Sequence, residues 1–74
     1  MTPTVAVNVT LEAADEEAVA AFLAGRLPFT GIAAVIEKVL ENMPGRALLQ
    51  IDDVLAADLE ARRLAREEIQ RRKN

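Results

Sequence analysis

Apolar residues recur along residues 31–43 at alternating intervals of three and one, the spacing of one face of an α-helix. This stripe consists of Ile32, Val35, Ile36, Val39, Leu40 and Met43. Thr30 precedes it and is a residue type that caps helix N-termini, while Pro44 and Gly45 follow it as a stop signal. The pattern predicts a helix over residues 31–43 with Thr30 as its N-cap.

Two more helices are predicted, one on either side of this one. The first covers residues 12–24, begins with acidic residues that favour a helix N-terminus, and ends at Gly25, which can adopt the left-handed conformation that closes a helix. The third has Asp52 or Asp53 as its cap and runs to about Arg72. Its inward face is predicted to contain Val54, Ala57, Ala61, Leu64, Ala65 and Ile69.

Asp58 falls within that apolar face of the third helix. A carboxylate in such a place needs hydrogen-bond donors. We expect it either to accept from the amides of another helix start, such as the one near Thr30, or to pair with Arg62 or Arg26. Thr30, Asp52 and Asp58 are therefore predicted to have structural roles.

Apolar and polar residues alternate with a period of two over residues 4–11, TVAVNVTL, which is typical of a β-strand. A single strand would leave its backbone groups unpaired. One hypothesis pairs it with residues 46–51, RALLQI, in a two-stranded ribbon; the other pairs it with the same segment of a second chain, forming a homodimer. The predicted fold class is mainly α, a small three-helix domain to which a short β ribbon is an optional addition.

The chain has 74 residues and contains no cysteine, histidine, tryptophan or tyrosine. This length suits a single domain over residues 1–74, and the composition excludes thiolate nucleophiles, imidazole bases and cysteine or histidine zinc sites. The paired carboxylates Glu16 with Glu17 and Asp52 with Asp53 are the only candidates for acid–base or metal chemistry, but such pairs at helix starts more often stabilise the helix dipole. We predict no catalytic, cofactor-binding or metal-binding residue.

The net charge is −3, yet residues 62–74 hold six basic residues against two acidic ones. Glu67 and Glu68 precede Arg71 and Arg72 by four residues, so we expect these charges to pair along a solvated helix face. No aromatic residue alternates with the basic ones, and no apolar run is long enough to span a membrane. We therefore expect no nucleic acid and no membrane as a partner, and, without a secretory signal, a location in the bacterial cytoplasm.

Three short blocks match one known domain in order and at corresponding separations. They are Glu16 with residues 18–23; Phe29, Thr30 and Ile32; and residues 52–55 with Asp58, Ala61, Arg62, Ala65 and Arg66. The corresponding family segments read NAANEVAVAAFL, FTDI, and VDDVL followed by an Asp and an Ala-Arg pair. Through these blocks, residues 12–74 resemble the C-terminal helical domain of 1-deoxy-D-xylulose 5-phosphate reductoisomerase, whereas residues 1–11 depart from it.

The resemblance implies a helical accessory domain of an enzyme that uses NADPH and a divalent metal in the synthesis of isoprenoid precursors. It also implies that other domains bind both cofactors, so that this chain binds none and is not catalytic by itself. Its implied partners are the catalytic domains of the parent enzyme. The alternative hypothesis is an independent or engineered helical interaction module that self-associates through its N-terminal strand.

Overall fold

The computed structural model describes the backbone of residues 3–43 and 51–72, and the side chains of residues 8–43 and 53–72. These residues form three α-helices: α1, Pro3–Leu23; α2, Phe29–Asn42; and α3, Ile51–Arg72. Each helix packs against the other two. The prediction of a small, mainly α domain with three helices is confirmed.

Residues 4–11 lie inside α1, so the prediction of a strand there is wrong. A helix pairs its backbone N–H and C=O groups within its own segment, whereas a strand needs a second segment to pair with. Pro3 is the first residue of α1, a position where the missing N–H has no partner in any helix. Of the second predicted strand, residues 46–50 lie outside the described residues and Ile51 begins α3. The ribbon, and self-association through a strand at residues 4–11, are therefore not supported.

The end of α1 is a glycine in the left-handed conformation, as predicted. Gly25 has a φ of 76°, its amide donates to Phe22 O over 3.0 Å, and the Arg26 amide donates to Ala21 O over 2.8 Å. This pair of bonds is the Schellman motif, which satisfies carbonyl groups that a helix end leaves unpaired. The chain therefore leaves α1 in a defined direction.

The start of α2 differs from the prediction by two residues. The helix begins at Phe29, and its N-cap is Pro28, which has extended backbone (φ −70°, ψ 158°) and makes no side-chain cap bond. The prediction of Thr30 as the N-cap is therefore wrong, and Thr30 is the second residue of the helix. Proline fixes φ near the value seen here, so the chain can enter α2 without a capping hydroxyl group.

The start of α3 also lies earlier than predicted. The helix begins at Ile51, so Asp52 and Asp53 are its second and third residues and do not precede it as a cap. An acidic residue type is still favoured there, because the first turn of a helix carries the positive end of its dipole.

The core is built mainly from small side chains. Among the described residues, the buried apolar set is Ala13, Ala14, Ala18, Ala21, Leu27, Val35, Val39, Ala61, Ala65 and Ile69. Partly buried side chains of Ile32, Ile36, Met43 and Leu64 pack against it. The alanines lie on α1 and α3, and small residues at a helix contact let the two backbones approach closely. This close approach brings charged side chains of the two helices within reach of each other.

Candidate functional site

A cluster of charged side chains joins α1 to α3, and Arg62 lies at its centre. Arg62 Nη1 donates to Glu17 Oε2 (3.0 Å), Nη2 to Glu16 Oε2 (2.9 Å) and Nε to Asp58 Oδ2 (2.9 Å). The first two bonds cross from α3 to α1, and the third lies within α3. One side chain can hold three carboxylates because a guanidinium group presents its N–H donors in a rigid plane.

Arg66 adds a second link one turn further along α3. Its Nε and Nη2 donate to Glu17 Oε1 and Oε2 over 2.9 and 3.2 Å, and the Glu17 side chain is only 18% exposed. The hydrogen bond from Arg66 lowers the pKa of Glu17 below its ordinary value; partial burial opposes this effect, and Arg62 adds to it. The carboxylates in turn raise the pKa values of the arginines. The largest effect on the pKa of Arg62 comes from its hydrogen bond with Asp58, and the largest effect on that of Arg66 comes from its hydrogen bond with Glu17.

The three residues predicted to have structural roles occupy separate places. Asp58 is half-buried and accepts from Arg62, one of the partners that the sequence indicated. Thr30 is exposed in the first turn of α2, and no hydrogen bond between described residues joins Asp58 to it or to Arg26. Asp52 lies in the first turn of α3 and does not cap it, and its side chain is outside the described set, so only its wider structural role stays a prediction.

A further buried carboxylate belongs to Glu68, which is 5% exposed. It accepts from Arg71 Nε over 3.1 Å and from Arg72 Nε over 2.8 Å, so its predicted pairing with Arg72 is confirmed. Glu67 pairs instead with Arg63 on the preceding turn. The expectation of a wholly solvated face is therefore wrong at Glu68. A groove of about 500 Å³ beside it is lined by Lys38, Val39, Asn42, Leu64, Glu67, Glu68 and Arg71.

The chemistry of these groups is ion pairing. A general base works best when its pKa lies near the operating pH, and the lowered pKa of Glu17 makes it a weaker base. Across residues 3–43 and 51–72, no group of three or more acidic, histidine or cysteine residues could hold a metal ion. In the same part of the chain, none of the three helices has both the length and the apolar character to cross a membrane.

Sequence reasoning did not find the contacts of Glu16 and Glu17 with α3. It placed both glutamates near the start of a helix, but α1 begins at Pro3, so they lie in its second half. One signal could have indicated the contact: Arg62 and Arg66 are four residues apart and so lie on the same face of a helix. The local pattern does not indicate which acidic residues contact Arg62 and Arg66.

Comparison of the sequence with known proteins identifies one family. The family described as DXP reductoisomerase C-terminal domain matches residues 2–64, a range that includes most of the segment predicted to depart from it. The 1-deoxy-D-xylulose 5-phosphate reductoisomerase of Burkholderia multivorans is 57% identical over 60 residues, which are 81% of this chain and 15% of that protein.

Two further relatives carry the same name. The protein of Dechloromonas aromatica is 60% identical over 55 residues (74% of this chain, 14% of the relative), and that of Nitrosomonas eutropha is 54% identical over 56 residues (76% and 14%). No solved structure matches the chain. The chain thus spans about 15% of the length of the curated relatives it matches. By the extent of the family match and the identity to these relatives, it belongs to the DXP reductoisomerase C-terminal domain family.

Proposed function

We propose that the chain serves as an accessory helical domain of a 1-deoxy-D-xylulose 5-phosphate reductoisomerase and supplies no catalytic group to the reaction. The observation that carries the proposal is the pairing of four acidic side chains with arginines. Glu16, Glu17, Asp58 and Glu68 all accept hydrogen bonds from arginines of α3. Carboxylates held in this way stabilise helix packing and are poorly placed to exchange a proton with a substrate.

The reaction itself is then assigned to the rest of such an enzyme. Because the chain spans about 15% of its curated relatives, most of a protein of this kind lies outside it. In this proposal the other domains bind NADPH, the divalent metal and the substrate, and this domain braces them. We call Glu16, Glu17, Asp58, Arg62 and Arg66 the α1–α3 cluster. It fits this supporting role, since bonds between residues 45 to 49 positions apart resist sliding of the two helices.

A chimera tests the proposal in a complete enzyme. The matching 60-residue segment of the Burkholderia multivorans reductoisomerase is replaced by the corresponding residues of this chain. NADPH consumption with 1-deoxy-D-xylulose 5-phosphate is measured for the chimera, for the same enzyme without the segment, and for the isolated chain. We expect turnover by the chimera and none by the isolated chain.

Two results would contradict the proposal. Turnover by the isolated chain would show that it is catalytic, and a chimera that folds without activity would argue against the accessory role.

Asp58→Asn in the chimera separates structural from catalytic roles. The amide still accepts from Arg62, so kcat should be unchanged, whereas a selective loss of kcat at unchanged melting temperature would assign Asp58 to the chemistry.

A further inference from the structure

Three large apolar side chains are exposed at the connection between α1 and α2. Leu23 is 76% exposed, Phe29 is 73% exposed and Phe22 is 37% exposed. The two phenyl rings meet edge to face with their centroids 5.7 Å apart. We call Phe22, Leu23 and Phe29 the turn patch. Single exposed apolar residues are ordinary on a protein surface, but two exposed aromatic rings in contact, with an exposed leucine next to one of them in the chain, are typical of a contact surface.

The backbone that carries the turn patch is held in place before any contact is made. Leu27, the one buried residue among residues 22–30, inserts into the core, and the Schellman bonds at Gly25 and Arg26 fix the chain on the α1 side. A surface ordered in advance loses little conformational entropy when it is covered. The patch therefore has the rigidity expected of a docking surface.

The charge beside the turn patch indicates what could cover it. Arg26 is the only charged residue among residues 22–30, its side chain is exposed, and no ion pair joins it to another described residue. A two-fold contact of the patch with a second copy would bring two Arg26 side chains towards each other, and like charges at an interface are unfavourable. A complementary surface is apolar and carries a carboxylate.

We propose that the turn patch with Arg26 is the surface on which the remainder of a reductoisomerase docks, through an apolar area of that remainder flanked by an acidic side chain. The proposal rests on the proposed function. Most of the length of the matched relatives lies outside this domain and so is available to cover the patch. The surface is distinct from the α1–α3 cluster, whose arginines are already paired.

Hydroxyl-radical footprinting of the isolated chain and of the chimera tests the docking surface directly. The radical oxidises accessible leucine and phenylalanine side chains, and Leu59 on α3, at 69% exposure, is a matched internal reference. We expect oxidation of Leu23 and Phe29 to fall in the chimera on the order of fivefold relative to Leu59, since a side chain at the centre of an interface loses most of its solvent contact. If oxidation of Leu23 and Phe29 relative to Leu59 is the same in an active chimera as in the isolated chain, the docking surface is overturned and the proposed function is left intact.

Substitutions give a second measurement. Leu23→Ser in the chimera should lower kcat/KM by about tenfold or more, whereas Leu59→Ser should leave it unchanged, since only the first side chain is covered in the complete enzyme. Arg26→Glu should act in the same direction as Leu23→Ser. The isolated chain should melt at the same temperature with and without Leu23→Ser, because this side chain is exposed in it.

Three other outcomes also bear on the proposal, two of them against it and one in its favour. Footprinting protection of Leu23 and Phe29 that rises with the concentration of the isolated chain would make the patch a contact between two copies and overturn the proposal. An active chimera in which Leu23→Ser and Leu59→Ser behave alike would also overturn it. A chimera that folds but has no turnover, with Leu23 and Phe29 still protected, would support the docking surface while contradicting the proposed function.

Discussion

Arg62 of α3 donates to Glu17 of α1 across 45 residues of sequence, with 3.0 Å between Arg62 Nη1 and Glu17 Oε2. The bond joins α1 and α3 beside their interface, where most of the buried apolar residues are alanines. Small side chains bury little apolar area, so the contribution of each helix contact from burial alone is modest. The charged cluster therefore adds to both the stability and the register of this pair of helices.

Arg62→Met should destabilise the protein, because it removes the bonds of this side chain to α1 together with its bond to Asp58, although the link from Arg66 to Glu17 stays in place. We expect the free energy of unfolding to fall by about 1 kcal/mol, a small value because solvent screens an arginine side chain that is still 25% exposed. Arg63→Met is the matched control, since Arg63 pairs only within α3 among the described residues and should change stability little. Urea unfolding followed by circular dichroism measures both; equal effects of the two substitutions would contradict the role given to Arg62.

The contribution of Glu17 should depend on pH. Its pKa is lowered in the folded protein from an ordinary value of 4.5, so the folded state favours the charged form. The resulting stability is present above that ordinary value and is lost as pH falls through the lower pKa of the folded state. The difference in unfolding free energy between the protein and Glu17→Gln should be largest near neutral pH and shrink below about pH 4.5. Arg66→Gln should reduce this dependence, and a difference that is constant from pH 3 to 7 would contradict the assignment.

Gly25→Ala should destabilise the end of α1 through backbone strain alone. Nothing lies within 4 Å of a Cβ added at Gly25, but its φ of +76° is unfavourable for an L-residue. We expect a loss of about 1 kcal/mol, and a smaller loss for Gly25→Asn, because asparagine tolerates the left-handed conformation better than alanine. Thermal unfolding of both variants checks the order, and an equal or greater loss for asparagine would count against it.

Gly31→Ala should destabilise the protein for a different reason. A Cβ at Gly31 would lie 2.7 Å from Leu27 Cδ1 and 2.8 Å from Leu27 Cγ, and Leu27 is buried. We expect a loss of about 1 to 3 kcal/mol from overpacking. A double-mutant cycle with Leu27→Ala isolates the cause, because Gly31→Ala should be nearly neutral once the leucine side chain is removed. Additive losses would show that the clash is not with Leu27.

Replacing an alanine of α3 with leucine should destabilise the protein at a buried position but not at an exposed one. Ala65 is fully buried, whereas Ala56 on α3 is exposed. Ala65→Leu should lower the free energy of unfolding by about 1 to 3 kcal/mol, because three additional carbon atoms must fit into a close helix contact. Ala56→Leu should have little effect, and chemical denaturation of the two variants provides the comparison.

Part of the fold and of the charged site could be predicted from local patterns. The apolar spacing over residues 31–43 indicated α2 because helix periodicity is a property of neighbouring residues, and Val35 and Val39 of that stripe are indeed buried. Gly25 indicated the end of α1 because glycine adopts the left-handed conformation that closes a helix more readily than other residues do. The bond between Asp58 and Arg62 was among the predicted options, since residues four apart on a helix face each other.

Residue type and short-range spacing were enough to predict the three helices, the left-handed glycine that ends the first of them, and the lack of cysteine and histidine chemistry. Four features became apparent only in the folded protein: residues 4–11 join α1, Glu16 and Glu17 contact Arg62 and Arg66, Glu68 is buried, and the turn patch is exposed. An alternating valine segment becomes a strand only where a second segment can pair with it, and charges far apart in the chain meet only where packing brings their helices together. Both depend on partners that local sequence does not specify.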